Sequence, residues 1–169
     1  MYKSCKSQAD GFYDEELFEK LSNESNSRLR RDQLYLYYTQ MGRSMYTGKR
    51  IDFDNLINDK NTYDIDHIYP RSKIKDDSIT NRVLVEKDIN GEKTDIYPIS
   101  EDIRQKMQPF WKILKEKGLI NEEKYKRLTR NYELTDDELF SFVARQLVET
   151  QQSTKALATL LQKEYPSAK

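Results

Sequence analysis

The sequence predicts an α+β domain, predominantly helical around a small antiparallel ββα arrangement. Three observations carry this reading. Helical periodicity marks the flanks: Leu34, Tyr37, Tyr38 and Met41 fall at i, i+3, i+4 and i+7, one apolar stripe. Two short strand-like runs occupy the centre, Tyr63–Tyr69 and Arg82–Val85, rich in β-branched and aromatic residues. A turn at Asn90-Gly91 with a short helix follows the second run, which brings residue 90 back toward residue 67.

The elements follow in order. Residues 1–30 read as a polar linker with a short helical patch near Glu15–Leu21, closing in a Ser- and Asn-rich stretch from Ser22 to Ser27. The striped helix stops at Gly42. Ser44–Tyr46 and Arg50–Asp52 flank Thr47-Gly48-Lys49 as a short hairpin, and Phe53, Leu56 and Ile57 suggest a turn or two of helix. The first strand ends at Pro70, and Arg71 to Thr80 form a polar loop. Beyond Pro98 a helix carries Ile103 and Met107, is broken or restarted by Pro109, and stops at Gly118. A short helix is expected over 121–129. Thr135 to Glu138 form a capping box, after which Leu139, Val143 and Leu147 share a face; a last helical stretch covers Ala156–Leu161. These stripes read as core.

Composition limits the function classes. The 169 residues hold 29 basic and 29 acidic side chains, so the formal net charge is zero. The length suits one domain with a real core. Neutrality argues against gripping nucleic acid by charge alone. Arg71, Lys73 and Lys75 form a local basic cluster that reads equally as a solvated face or a phosphate-facing one. A single cysteine, Cys5, excludes an intramolecular disulfide and a Cys-pair zinc site; a His-Glu-x-x-His zinc peptidase motif is absent. No apolar run reaches membrane-span length and no signal-peptide core opens the chain, so no membrane contact and a cytoplasmic setting are expected. Of the twelve tyrosines, several stand in helical stretches and are expected to pack with their hydroxyls reaching water, not to serve as base-stacking platforms.

The chemistry concentrates on His67, the sole histidine, within Tyr63-Asp64-Ile65-Asp66-His67-Ile68. An imidazole can accept a proton from water near neutral pH. A neighbouring carboxylate and a returning amide oxygen are hard ligands suited to Mg²⁺. An Asp-His pair alone is a weak signal, since most histidines are structural and asparagines cap helices everywhere. The order of Asp66-His67 on a strand, Asn81 before the second strand and Asn90 beyond it gives the pair its weight.

The segments Tyr63-Asp64-Ile65-Asp66-His67-Ile68-Tyr69-Pro70, Lys75-Asp76-Asp77-Ser78-Ile79 and Asn81-Arg82-Val83-Leu84 resemble the HNH nuclease domain of type II CRISPR RNA-guided DNA endonucleases. Leu34 to Tyr38 with Gly42 and Met45-Tyr46, and Arg145 to Thr150 with Thr154-Lys155, resemble flanking segments of that family. The likeness runs over most of residues 30–160. It implies a ββα-metal core near 60–100 within an HNH domain spanning 31–160, and a linker over 161–169 toward the rest of a larger multidomain protein.

Residue by residue, the resemblance makes His67 the general base, with its other ring nitrogen expected to donate to a backbone carbonyl. Asp66 and Asn90 would hold one Mg²⁺, for which Mn²⁺ would substitute, and Asp88 would support them as a further metal-site residue. Asn81 would brace the loop between the strands, and Lys93 would sit near the phosphate. Ile89, Gly91 and Glu92 depart from a more basic pattern in many relatives. The implied activity is cleavage of the target DNA strand in a guide RNA–DNA heteroduplex, alongside a RuvC-like domain and guide RNA carried by the parent. The excised domain is expected to be a monomer. A freestanding HNH restriction or homing-type endonuclease, and a noncatalytic docking module that keeps the fold, are the alternatives.

Overall fold

A computed structural model describes residues 15–23, 25, 31–59 and 61–164. The expected linkers at 1–30 and 161–169, and Cys5, lie wholly or largely outside the described residues. The chain divides into two units, residues 1–132 and 133–169.

In the first unit the order is α1 (Glu15–Asn23), α2 (Asp32–Thr39), α3 (Phe53–Asn58), β1 (Tyr63–His67), β2 (Arg82–Glu86), α4 (Lys87–Lys93), α5 (Glu101–Glu116) and α6 (Glu122–Thr129). The α+β architecture read from the sequence is what forms. The sheet has two antiparallel strands, with Ile65 opposite Leu84, Asp66 opposite Val83 and Asp64 opposite Val85. Side chains alternate across a strand, so the two faces differ in character. Tyr63, Ile65 and Leu84 pack into a cluster with Leu36, Tyr37 and Tyr38 of α2, together with Ile51 and Leu56. The other face carries Asp64, Asp66, Val83 and Val85, and α4 lies across it.

A two-stranded sheet has an open edge that must be satisfied. Here the edge of β2 is met by the buried amide of Gln40, which accepts from Leu84 N at 2.8 Å and donates to Leu84 O at 2.9 Å. Met45 N adds a bond to Leu84 O at 3.1 Å. This corrects the expected hairpin over Ser44–Asp52. The segment makes one isolated bridge, Arg43 to Arg50, because residues 45–47 turn to face β2 instead of pairing with 50–52. Gly42 sits at φ +64°, and a Cβ there would come within 2.9 Å of Leu17 on α1. The helix itself ends earlier, at Thr39. The left-handed turn that closes it begins at Met41 (φ 53°), with Gly42 N donating to Tyr37 O at 2.8 Å; Met41 of the expected stripe therefore lies past the helix.

The expected break at Pro109 does not occur: α5 runs through it. The carbonyl of Gln105, which would have accepted from residue 109, belongs to an exposed stretch of the helix where water can replace the lost bond. Met107, Phe110, Trp111 and Leu114 hold the buried face across that position. Trp111 is fully buried and donates from Nε1 to Met45 O at 2.9 Å, tying α5 to the turn before Thr47. Tyrosine hydroxyls outside the helices behave differently. Tyr46 and Tyr97 turn theirs inward, onto Asp66 and onto the carbonyl of Arg127.

Helix α6 carries a buried cation. Lys124 Nζ donates to Ile79 O at 3.1 Å and to Arg82 O at 2.5 Å. Burial, with Arg82 and Arg127 nearby, pushes its pKa down to about 7. Below that value Lys124 is charged in both folded and unfolded chains. Between about 7 and the ordinary 10.5, only the unfolded chain holds the proton, so stability rises with pH across that window. The rise is on the order of 1 kcal/mol per pH unit. Lys124→Met is expected to remove it. Urea unfolding of both chains at several pH values above 7 checks this, and a wild-type minus variant difference that stays flat would contradict it.

The second unit is a single described helix, α7 (Asp136–Glu164). Its start is the predicted capping box: Thr135 N donates to Glu138 Oε2 at 2.9 Å, and Glu138 N returns a bond to Thr135 Oγ1 at 3.3 Å. The helix continues without interruption through the separately predicted 156–161 stretch. The stripe on it is not core: Phe140, Val143, Leu147, Val148 and Leu160 are exposed within the described residues. No described helix is long and apolar enough to cross a membrane.

Candidate active site

The site is built on the Asp64–Asp66 face of β1 and on α4. Asp66 is nearly buried and meets one hydrogen-bond donor and one ion-pair partner on the same oxygen, Oδ2. The Tyr46 hydroxyl donates at 2.6 Å and the Lys93 ammonium lies at 2.9 Å. Burial, reinforced by the Asp66 carboxylate, holds the Tyr46 phenol well above its ordinary value, so it remains a donor. Lys93, at the end of α4, also donates to the carbonyl of His67 at 3.0 Å and is itself almost fully buried. Its ammonium thus points into the site, not toward solvent. One turn earlier on the helix, Asn90 donates from Nδ2 to Asp64 Oδ2 at 2.8 Å.

His67 ends β1. Its Nε2 lies 2.8 Å from Asp77 Oδ1, and Arg71 donates to the other oxygen of Asp77 at 3.2 Å. The expected backbone-carbonyl partner is therefore replaced by a carboxylate. The polar loop after Pro70 folds back across the strand end and delivers Asp77 there. Arg71 of the basic cluster is thereby paired, and all three of its members, Arg71, Lys73 and Lys75, are exposed.

Asn81 is fully buried and braces that loop. Its Oδ1 accepts from Tyr69 N at 2.8 Å; its Nδ2 donates to Tyr69 O at 3.1 Å and to Asp76 O at 2.9 Å. Its own carbonyl accepts from Ile68 N at 2.8 Å. The amide thus stitches the bend after β1 to the return before β2, without joining the Asp66 cluster. Arg127 of α6 secures the same loop from outside, donating to Asp76 Oδ2 at 2.7 Å and stacking 4.7 Å over the Tyr69 ring. Burial opposes the Asp76 charge, but its bonds to Ser78 and Arg127 prevail and hold its carboxyl below its ordinary value.

The structure therefore gathers Asp64, Asp66, Asn90 and Lys93 around one face, with His67 at the end of the same strand. Asp88 is set apart. It is exposed in the first turn of α4, and its Oδ1 accepts from Ile89 N at 2.8 Å. Among the described residues no group of three or more His, Cys, Asp or Glu gathers. Three partners were missed from the sequence. Asp64 had a signal, since it lies two residues before Asp66 and must share its face. Tyr46 and Asp77 had none, because they arrive from separate segments.

An HNH endonuclease family profile matches residues 44–99, the stretch that holds the turn at Tyr46, both strands and α4. The chain is also similar to CRISPR-associated endonuclease Cas9 of Streptococcus mutans, 46% identical over 142 residues that make up 83% of this chain and 10% of that protein. The Listeria innocua Cas9 is 44% identical over 142 residues, again 83% of this chain and 10% of the relative. A Cas9 of Streptococcus thermophilus is 31% identical over 144 residues, 81% of this chain and 13% of that protein. The chain thus spans about a tenth of the length of these curated relatives. A strand-end histidine beside a carboxylate, a braced loop and a crossing helix, together with these likenesses, show that the chain belongs to the HNH endonucleases, in the branch found in Cas9 proteins.

Proposed function

We propose that this chain is the nuclease module of a larger RNA-guided effector and hydrolyses the DNA strand paired with the guide, using His67 as general base and one Mg²⁺ ion. The observation that carries the reading is the state of His67. Its Nε2 is occupied by Asp77, and among the described residues no hydrogen bond is made to Nδ1. The imidazole is thus held by one nitrogen and open at the other, as a base acting on water needs to be. Nδ1 takes a proton from a water molecule, the resulting hydroxide attacks phosphorus in line, the P–O3′ bond breaks, and the departing oxygen is protonated by solvent.

The donor set suits a hard divalent cation that keeps most of its waters. Both described bonds to Asp66 fall on Oδ2, which leaves Oδ1 for a ligand. Asn90 spends its NH₂ on Asp64 and keeps its amide oxygen. Asp66 and Asn90 would hold the ion. Lys93 places a positive charge beside Asp66 and compensates that nearly buried carboxylate. When bound, the cation supplies charge stabilisation to the phosphoryl and leaving oxygens. The balanced charge of the chain fits a module whose DNA, guide RNA and RuvC-like partner are held by the rest of the parent.

The test uses the guide-loaded full-length protein and a duplex labelled separately on its two strands. The guide-paired strand is expected to be cut with Mg²⁺ or Mn²⁺, and not after chelation or in the Asp66→Ala protein. In the chain itself, Mn²⁺ is expected to broaden resonances around Asp66 and Asn90, and Asp66→Ala to abolish this. Unchanged cutting of the guide-paired strand by Asp66→Ala would refute the reading.

A further inference from the structure

We propose that Asp77 is a positioning residue for His67: its carboxylate accepts the Nε2 proton, which fixes the imidazole in one tautomer and aims the lone pair of Nδ1 at the water. The inference deepens the reading of His67 as a base and rests on it.

The geometry has three parts. A carboxylate can only accept at 2.8 Å from a neutral imidazole, so the proton resides on Nε2 and Nδ1 carries the lone pair. The carboxylate is itself held, because Arg71 occupies its second oxygen at 3.2 Å. The backbone that carries Asp77 is anchored immediately before it. Asp76 O accepts from Asn81 Nδ2 at 2.9 Å, and Asp76 Oδ2 accepts from Arg127 at 2.7 Å. Asp77 is about half exposed, whereas His67 is 15% exposed, so water reaches the carboxylate more freely than the ring. A free surface carboxylate would wander; this one is seated by a fully buried asparagine and a nearly buried arginine.

The arrangement also accounts for the proton during reaction. When Nδ1 takes the proton from water, the ring becomes a cation with donors at both nitrogens. Nε2–H then faces a negative oxygen, and the pair shares the charge without moving a second proton. Loss of the carboxylate would leave the ring free to rotate and to exchange tautomers, so Nδ1 would present a lone pair for only part of the time.

Because His67 is the sole histidine, its ring signals are unambiguous. In the 169-residue chain with ¹⁵N-labelled histidine and a neutral ring, Nε2 is expected at the protonated extreme of nitrogen shifts and Nδ1 at the unprotonated extreme. Asp77→Ala is expected to move the two shifts toward each other. Asp77→Asn, whose amide oxygen still accepts, is expected to keep most of the separation. In the guide-loaded parent, Asp77→Ala is expected to lower the rate of guide-paired strand cutting by about 10–100-fold, typical of groups that orient an active histidine. DNA affinity should be unchanged, and Asp77→Asn should restore much of the rate.

Nitrogen shifts unmoved by Asp77→Ala would overturn the proposal. So would moved shifts with an undiminished cutting rate. Failure of the underlying reading has a different signature: His67→Ala would then cut normally, whatever Asp77 does to the ring.

Discussion

Guide-loaded parent protein carrying His67→Ala is expected to cut the guide-paired strand at least about 10²–10⁴-fold more slowly than wild type, the usual worth of a positioned general base. DNA affinity should change little. The side chain makes one described hydrogen bond, to Asp77, and lies at the end of β1 outside the apolar cluster around Leu36 and Leu84. Its carbonyl, which anchors Lys93, is backbone and survives the substitution. The loss should therefore fall on the chemical step and not on folding. Strand-resolved cleavage under single turnover, with binding measured in parallel, checks this. A fall in binding as large as the fall in cutting would make His67 a contact or a structural residue.

The largest effect on stability is expected from Asn81→Ala. The side chain satisfies Tyr69 N, Tyr69 O and Asp76 O, and it is fully buried. Alanine would leave these backbone groups without their partners in a site that has no room for bulk water. Each buried group left unpaired costs about 1–3 kcal/mol, so a total of about 3 kcal/mol or more is expected. Chemical denaturation of the 169-residue chain measures it. Cutting should also fall, because Asp76 and Asp77 would lose their anchor beside His67. A stability change below about 1 kcal/mol would mean that the loop holds its shape without the amide, and the bracing role would be lost.

The two substitutions separate the ways in which this site depends on its residues. In the proposed mechanism His67 acts at the reacting atoms, and its side chain bonds only Asp77 among the described residues. Asn81 never approaches the Asp66 cluster, yet the bend after β1 and the return before β2 meet at its side chain. A single motif in the sequence therefore contains one residue proposed to perform the chemistry and one that holds the frame.

Local pattern determined much of this protein by itself. The ββα order, both strands to within two residues and the capping box at Thr135–Glu138 all follow from periodicity and from side chains that satisfy their own neighbourhood. Asp66, His67 and Asn90 were legible because they sit in one ordered motif. What the tertiary structure decided lies between segments distant in the chain. Asp77 reaches His67 because Asn81 and Arg127 fold the loop back, and Tyr46 reaches Asp66 because Trp111 and Gln40 pin the preceding turn against β2. Pro109 stays inside α5 because the buried residues on either side outweigh one missing hydrogen bond that water can replace. The apolar stripe of α7 reads as core by period alone, yet it is exposed. Periodicity determines which residues share a face, but only packing determines whether another surface covers it.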